Sequence, residues 1–87
     1  MSCTRAELMS WLPGATQQAP LMADGSTVRV STQGGTVEIT LEEQRPRRMG
    51  SILLPMLDLT FRFDGMDEAA RDRFLAYFDL YTRRGGG

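Results

Sequence analysis

The side chains best equipped for recognition in this 87-residue chain are arginines. Arg45, Arg47 and Arg48 crowd around Pro46, and Arg83 and Arg84 close the last apolar-periodic stretch. A guanidinium offers a planar fork of donors that matches a carboxylate or a phosphate. If the two clusters meet, Arg45, Arg47, Arg48, Arg83 and Arg84 form a candidate anion or nucleic-acid contact. Other reactive chemistry is thin. The chain has no histidine, so the commonest general base and metal ligand is missing. Its single cysteine, Cys3, has no partner for an internal disulfide and no companion ligands for a metal. Glu38, Glu42, Asp58 and Asp72 fall on polar faces, with no spacing that would tune one carboxyl group against another. Tyr77 and Tyr81 stand one helical turn apart and read as core. Gly34-Gly35 lies between two strand patterns rather than between a strand and a helix, so it reads as a turn and not a phosphate cradle. No catalytic, cofactor-binding or metal-binding residue is assigned, and the expectation is a non-enzymatic chain without cofactor or metal.

The second recognition candidate is apolar. Ile52, Leu53, Leu54 and Met56 surround Pro55 and leave no polar face, which is more apolar surface than one side of a small sheet needs. Ile52, Leu54 and Met56, with Trp11 from the N-terminal region, are therefore candidate partner-binding residues, for another protein or for a second copy in a homodimer. Nucleic acid is the less favoured partner. The net charge of -1 gives no general attraction to phosphates. Sheets that bind RNA also expose aromatic side chains for base stacking, whereas the alternation here puts Phe61 and Phe63 on the face that a helix should cover.

Length allows one domain, spanning 1–87, with 1–3 and 85–87 expected to fray. The 41% apolar content is modest but gathered into periodic segments, which favours folding over disorder. No apolar run approaches the roughly 20 residues needed to span a bilayer. Residues 1–12 lack a basic region followed by an apolar run, so no secretory signal is expected. A soluble cytoplasmic protein is the default reading, and a free cysteine is compatible with it.

The elements that must position these residues follow from periodicity. Thr4-Arg5-Ala6-Glu7 matches a capping box and predicts a short helix from Arg5 to Leu12, stopped by Pro13-Gly14, with Trp11 as its anchor. Residues 13–26 lack a period and read as loop, with a turn at Asp24-Gly25. Thr27–Gln33 and Thr36–Glu43 predict a hairpin across Gly34-Gly35 with a type I′ turn, pairing Val30 with Ile39 and Val28 with Leu41. Residues 42–50 read as a charged connection that changes sign midway. Ser51–Phe63 predicts a strand, regular from Leu57 onward, with a bulge, an edge or a break at Pro55. Asp67 is placed as the N-cap of a long helix whose stripe of Ala70, Phe74, Tyr77, Phe78 and Tyr81 supplies the largest apolar burial. Asp67–Arg71 and Asp79–Arg83 are candidate ion pairs, and Gly85 a candidate cap. The fold class expected is α+β: a three-stranded antiparallel sheet with a long C-terminal helix packed on one face and a short N-terminal helix.

Overall fold

The structure, a computed structural model, describes residues 1–83. Its elements run α1 (Arg5–Ala15), β1 (Leu21–Asp24), β2 (Thr27–Thr32), β3 (Gly35–Met49), β4 (Ile52–Asp64) and α2 (Glu68–Arg83). The four strands form one antiparallel meander in the order β1-β2-β3-β4. The fold is thus α+β as expected, but the sheet has four strands and not three. The added strand, β1, pairs with β2 from Leu21 opposite Val30 to Asp24 opposite Thr27. Only Leu21 in it is even half-buried. An edge strand with one inward residue has no alternation to detect, which is why residues 13–26 read as loop. The turn signal there does hold: Gly25 has φ +62° at the β1–β2 corner.

Helix α1 opens with the capping box. Thr4 Oγ1 accepts from the Glu7 N–H at 3.1 Å, and Glu7 Oε1 accepts from the Thr4 N–H at 2.9 Å. The helix does not stop at Pro13 but runs to Ala15. Proline lacks a donor and crowds the carbonyl one turn back, but it falls in the last turn, where the end of the helix is closed by a C-terminal Schellman arrangement. The Gln18 N–H bonds Pro13 O at 2.7 Å, and the Gln17 N–H bonds Gly14 O at 3.1 Å. Glycine is the usual residue at such a cap, yet here Gln17 and Gln18 take φ of 56° and 62°.

The β2–β3 hairpin forms with its apolar faces matched, in a register two residues from the expected one. Val28 faces Ile39, Val30 faces Val37, and Thr32 faces Gly35. The loop is therefore Gln33-Gly34. Neither residue has the positive φ that type I′ requires; Gly35 instead has φ +141°. A β-carbon on Gly35 would lie 2.6 Å from Asp64 O and from the Met66 side chain, so the glycine is needed where β3 begins beneath the β4–α2 connection. A shift of two preserves every inward-facing residue, so the hydrophobic pattern alone could not separate the two registers.

The core is more aliphatic than the sequence suggested. Leu8, Leu12, Ile39, Leu57, Val28, Val30 and Val37 are the largest fully buried side chains. Phe61, Phe63 and Phe74 are half-buried and pack against that cluster, and Phe78 is the one buried aromatic among the described residues. Burying an aliphatic side chain contributes about 1.5–3 kcal/mol each, so Leu8 and Leu12 make α1 at least as important as α2. Trp11, the expected anchor, is only half-buried, and Leu8 and Leu12 fill that role. The four phenylalanines do converge: Phe61 meets Phe78 edge-on at 5.2 Å, and Phe63 meets Phe74 edge-on at 6.2 Å. Tyr77 and Tyr81 instead stack on each other at 6.3 Å, Tyr81 half-buried against the core and Tyr77 exposed, and Thr82 takes the buried place in the last turn.

Residues 1–3, expected to fray, are tied down. The Met1 ammonium donates to Leu57 O, and the Leu57 N–H donates to Met1 O, each at 2.8 Å. Cys3 is buried in the core cluster. The tail 85–87 and the proposed cap Gly85 lie outside the described residues. At the head of α2, Asp67 Oδ1 accepts from the Ala70 N–H at 2.7 Å, as an N-cap does. The expected Asp67–Arg71 ion pair is not formed. Arg83 does pair with Asp79 one turn back.

Candidate functional site: an apolar-tipped arginine hairpin

The expected charged connection at 42–50 is a strand. β3 and β4 stay paired far beyond the end of β2, to Met49 opposite Ile52. Only one irregularity interrupts them: Arg45-Pro46 on β3 lies against Pro55 on β4, between the Gln44–Met56 and Arg47–Leu54 pairs. Both prolines thus sit in the bulge, where ladder hydrogen bonds are already broken and a missing N–H costs little. Gly50, with φ +61°, closes the far end. Of the bulge, edge or break that Pro55 predicts, the structure shows the bulge. Nothing in the spacing predicts that Pro46 shares it, and a proline with four neighbouring charges reads as the end of a strand.

The consequence is a two-stranded arm. Residues 42–53 are all exposed, and β4 is the only strand paired with residues 42–49 among the described residues. The molecule measures 44 × 25 × 21 Å, elongated as a projecting hairpin requires. Cross-strand partners share a face. Arg47 with Leu54 and Met49 with Ile52 therefore line one side, and Arg48 with Leu53 lines the other. At the tip Met49, Ile52 and Leu53 are 55%, 60% and 59% exposed.

Of the candidate partner-binding residues, Ile52 sits at this tip and Leu54 is half-buried behind it. Met56 is half-buried at the base of the arm. There it joins Pro46, Pro55 and the N-terminal residues Cys3 to Ala6 in lining a cleft of about 590 Å³. Trp11 packs on the core and is not among the residues lining that cleft. Met49 and Leu53 belong to the tip and were missed. Leu53 lost to its neighbours in an apolar run without alternation, and Met49 was hidden in the charged stretch.

Arg45, Arg47 and Arg48 all lie on the arm, Arg45 in the bulge and Arg47 and Arg48 on opposite faces. Among the described residues none of them has a carboxylate partner. Arg83 lies on α2 and is engaged with Asp79, and Arg84 lies outside the described residues, so the five-arginine patch is reduced to the three on the arm. On the open face of the sheet Arg29 pairs with Glu38 at 3.1 Å, and Arg62 stands opposite Glu38 from the other side. Glu42 faces Asp58, and Asp72 is exposed on α2. Phe61 and Phe63 face α2, so that open face carries no aromatic from β4.

Among the described residues no helix is long and apolar enough to cross a membrane. Comparison with protein-family models, with curated proteins and with solved structures finds no match.

Proposed function

We propose that the chain is a non-catalytic protein-interaction module or accessory subunit that docks through the β3–β4 arm. One observation carries the reading: Met49, Ile52 and Leu53 are more than half exposed at the tip of an arm in which none of residues 45–55 is buried. An apolar tip held away from the body needs a receiving surface. Arg47 and Arg48 stand behind that tip and Arg45 in the bulge below them, which selects an acidic rim around an apolar pocket on the partner protein. The test places a photo-crosslinking phenylalanine analogue at Ile52 in the native cell and identifies the adduct by mass spectrometry. Binding of the purified partner is then measured calorimetrically. Leu53→Asp and Arg47→Glu are each expected to weaken it at least about ten-fold, and Met22→Ser on the β1 edge to leave it unchanged. No protein adduct, or affinity indifferent to both arm substitutions, overturns the reading. A second copy is a distinct outcome, seen as self-association by light scattering that Leu54→Asp abolishes.

The alternative reading, anion or nucleic-acid binding, rests on three arm arginines without carboxylate partners. It predicts retardation of an oligonucleotide at low salt and affinity that falls steeply as salt rises. No retardation at low salt eliminates it.

A further inference from the structure

At the opposite end of β3 from the arm tip, a second cleft of about 620 Å³ opens between the end of α1, the β2–β3 turn and α2. Its volume falls in the range of small-molecule sites. Phe74, Met66 and Ala70 give it an apolar lining, and Gln17, Gln33 and Tyr77 give it polar groups. Among the described residues Arg73 is the only charged one lining it, and it has no carboxylate partner there. Tyr77 is 39% exposed although the helical stripe marked it for the core. Beside the cleft, Gln17 and Gln18 hold consecutive left-handed backbone conformations. They belong to the Schellman cap that ends α1, which leaves Gln17 in the lining of the cleft.

We infer that this cleft binds a small amphipathic monoanion, a carboxylate carried on an aromatic or aliphatic body. The guanidinium of Arg73 receives the carboxylate as a charge-assisted pair. The body lies along Phe74 and Met66, and the amides of Gln17 and Gln33 and the Tyr77 hydroxyl offer the remaining hydrogen bonds. Among the described residues nothing on the lining is anionic, so the site disfavours a cation.

The test is an amide-detected NMR titration of the full chain with phenylacetate and with decanoate, using 2-phenylethanol as the neutral control. Shifts are expected at Gln17, Gln33, Gly34 and the Ala70–Tyr77 segment, with the neutral control at least about ten-fold weaker. Arg73→Gln is expected to lower carboxylate affinity about ten-fold, the usual worth of a hydrogen bond to a charged group. Ala70→Leu, which fills the cleft, is expected to abolish binding while leaving the remaining spectrum in place. Shifts scattered over the surface or confined to the arm overturn the inference. So do unchanged affinity in Arg73→Gln and no shift with either carboxylate at about 10 mM, which is weaker than useful recognition.

Discussion

A β-carbon built on Gly14 would lie 2.1 Å from the phenol oxygen of Tyr81 and 2.3 Å from the ring carbon that bears it. The α1–α2 contact is therefore made by a tyrosine ring laid against a bare glycine backbone. Alanine is worth about 1 kcal/mol more than glycine inside a helix. Forcing the ring aside costs about 1–3 kcal/mol. The clash is expected to win. Gly14→Ala should lower stability by about 1 kcal/mol in urea unfolding. In a Tyr81→Leu background, which lacks the colliding atoms, the same change should be neutral or stabilising. Equal effects in both backgrounds would show that the two helices do not meet this way.

That contact also shows where sequence reasoning stopped. Local signals were legible because their causes are local. The capping box at Thr4 and Glu7, the N-cap at Asp67, the alternation of Leu57 to Phe63 and the inward faces of β2 and β3 each rest on neighbours a few residues apart. Three features were not legible. The burial order of Leu8 over Trp11 depends on α1 reaching the middle of the sheet. The β2–β3 register depends on Gly35 fitting under Asp64 and Met66. The arm depends on two prolines nine residues apart falling into the same bulge. Each is a tertiary coincidence with no trace in spacing. The candidate site was half legible for the same reason: its apolar residues and arginines were both noted, as two separate segments, and only strand pairing joins them.

Glu42 and Asp58 stand directly opposite each other on the exposed face of β3 and β4. Like charges facing across a ladder destabilise it. Glu42→Arg replaces repulsion with attraction and should raise stability by about 0.5 kcal/mol at low salt, a modest figure because both groups are solvated. The gain should shrink as salt rises toward 0.5 M, where screening shortens to about 4 Å. A gain independent of salt would mean that the arginine acts by packing rather than by charge.

Cys3 is 2% exposed in the core cluster. Burial pushes its thiol above the ordinary value of 9.0, the charge of Glu7 adds to the rise, and the N-terminal ammonium opposes it. The neutral thiol is thus the form that the folded state holds. Below about pH 9 both states are protonated, and the group leaves stability unaffected. Above it the unfolded chain releases its proton first, so stability falls as pH rises. The difference in urea midpoint between the native chain and Cys3→Ala should be flat from pH 6 to 8 and narrow or reverse by pH 10. The thiol should also react slowly with a disulfide reagent at pH 8 until urea is added. A pH-independent difference together with rapid labelling would place Cys3 at the surface.

Separation of scaffold from arm yields the most direct expectation. Gln44 and Met56 are paired immediately before the bulge, so residues 45–55 can be replaced by an Asn-Gly turn that closes the shortened hairpin. None of the eleven removed residues is buried. The shortened chain should therefore keep its far-UV spectrum and lose no more than about 1–2 kcal/mol, chiefly from opening the cleft that Pro46 and Pro55 line. Leu57→Ala, one residue beyond Met56 but fully buried, should cost about 2–5 kcal/mol. The contrast matters because adjacent residues of one strand would then divide into those that hold the fold and those that it merely presents. Loss of partner binding without loss of stability would assign the arm to recognition. Unfolding of the shortened chain would show instead that the arm belongs to the core after all, and the docking proposal would lose the observation on which it stands.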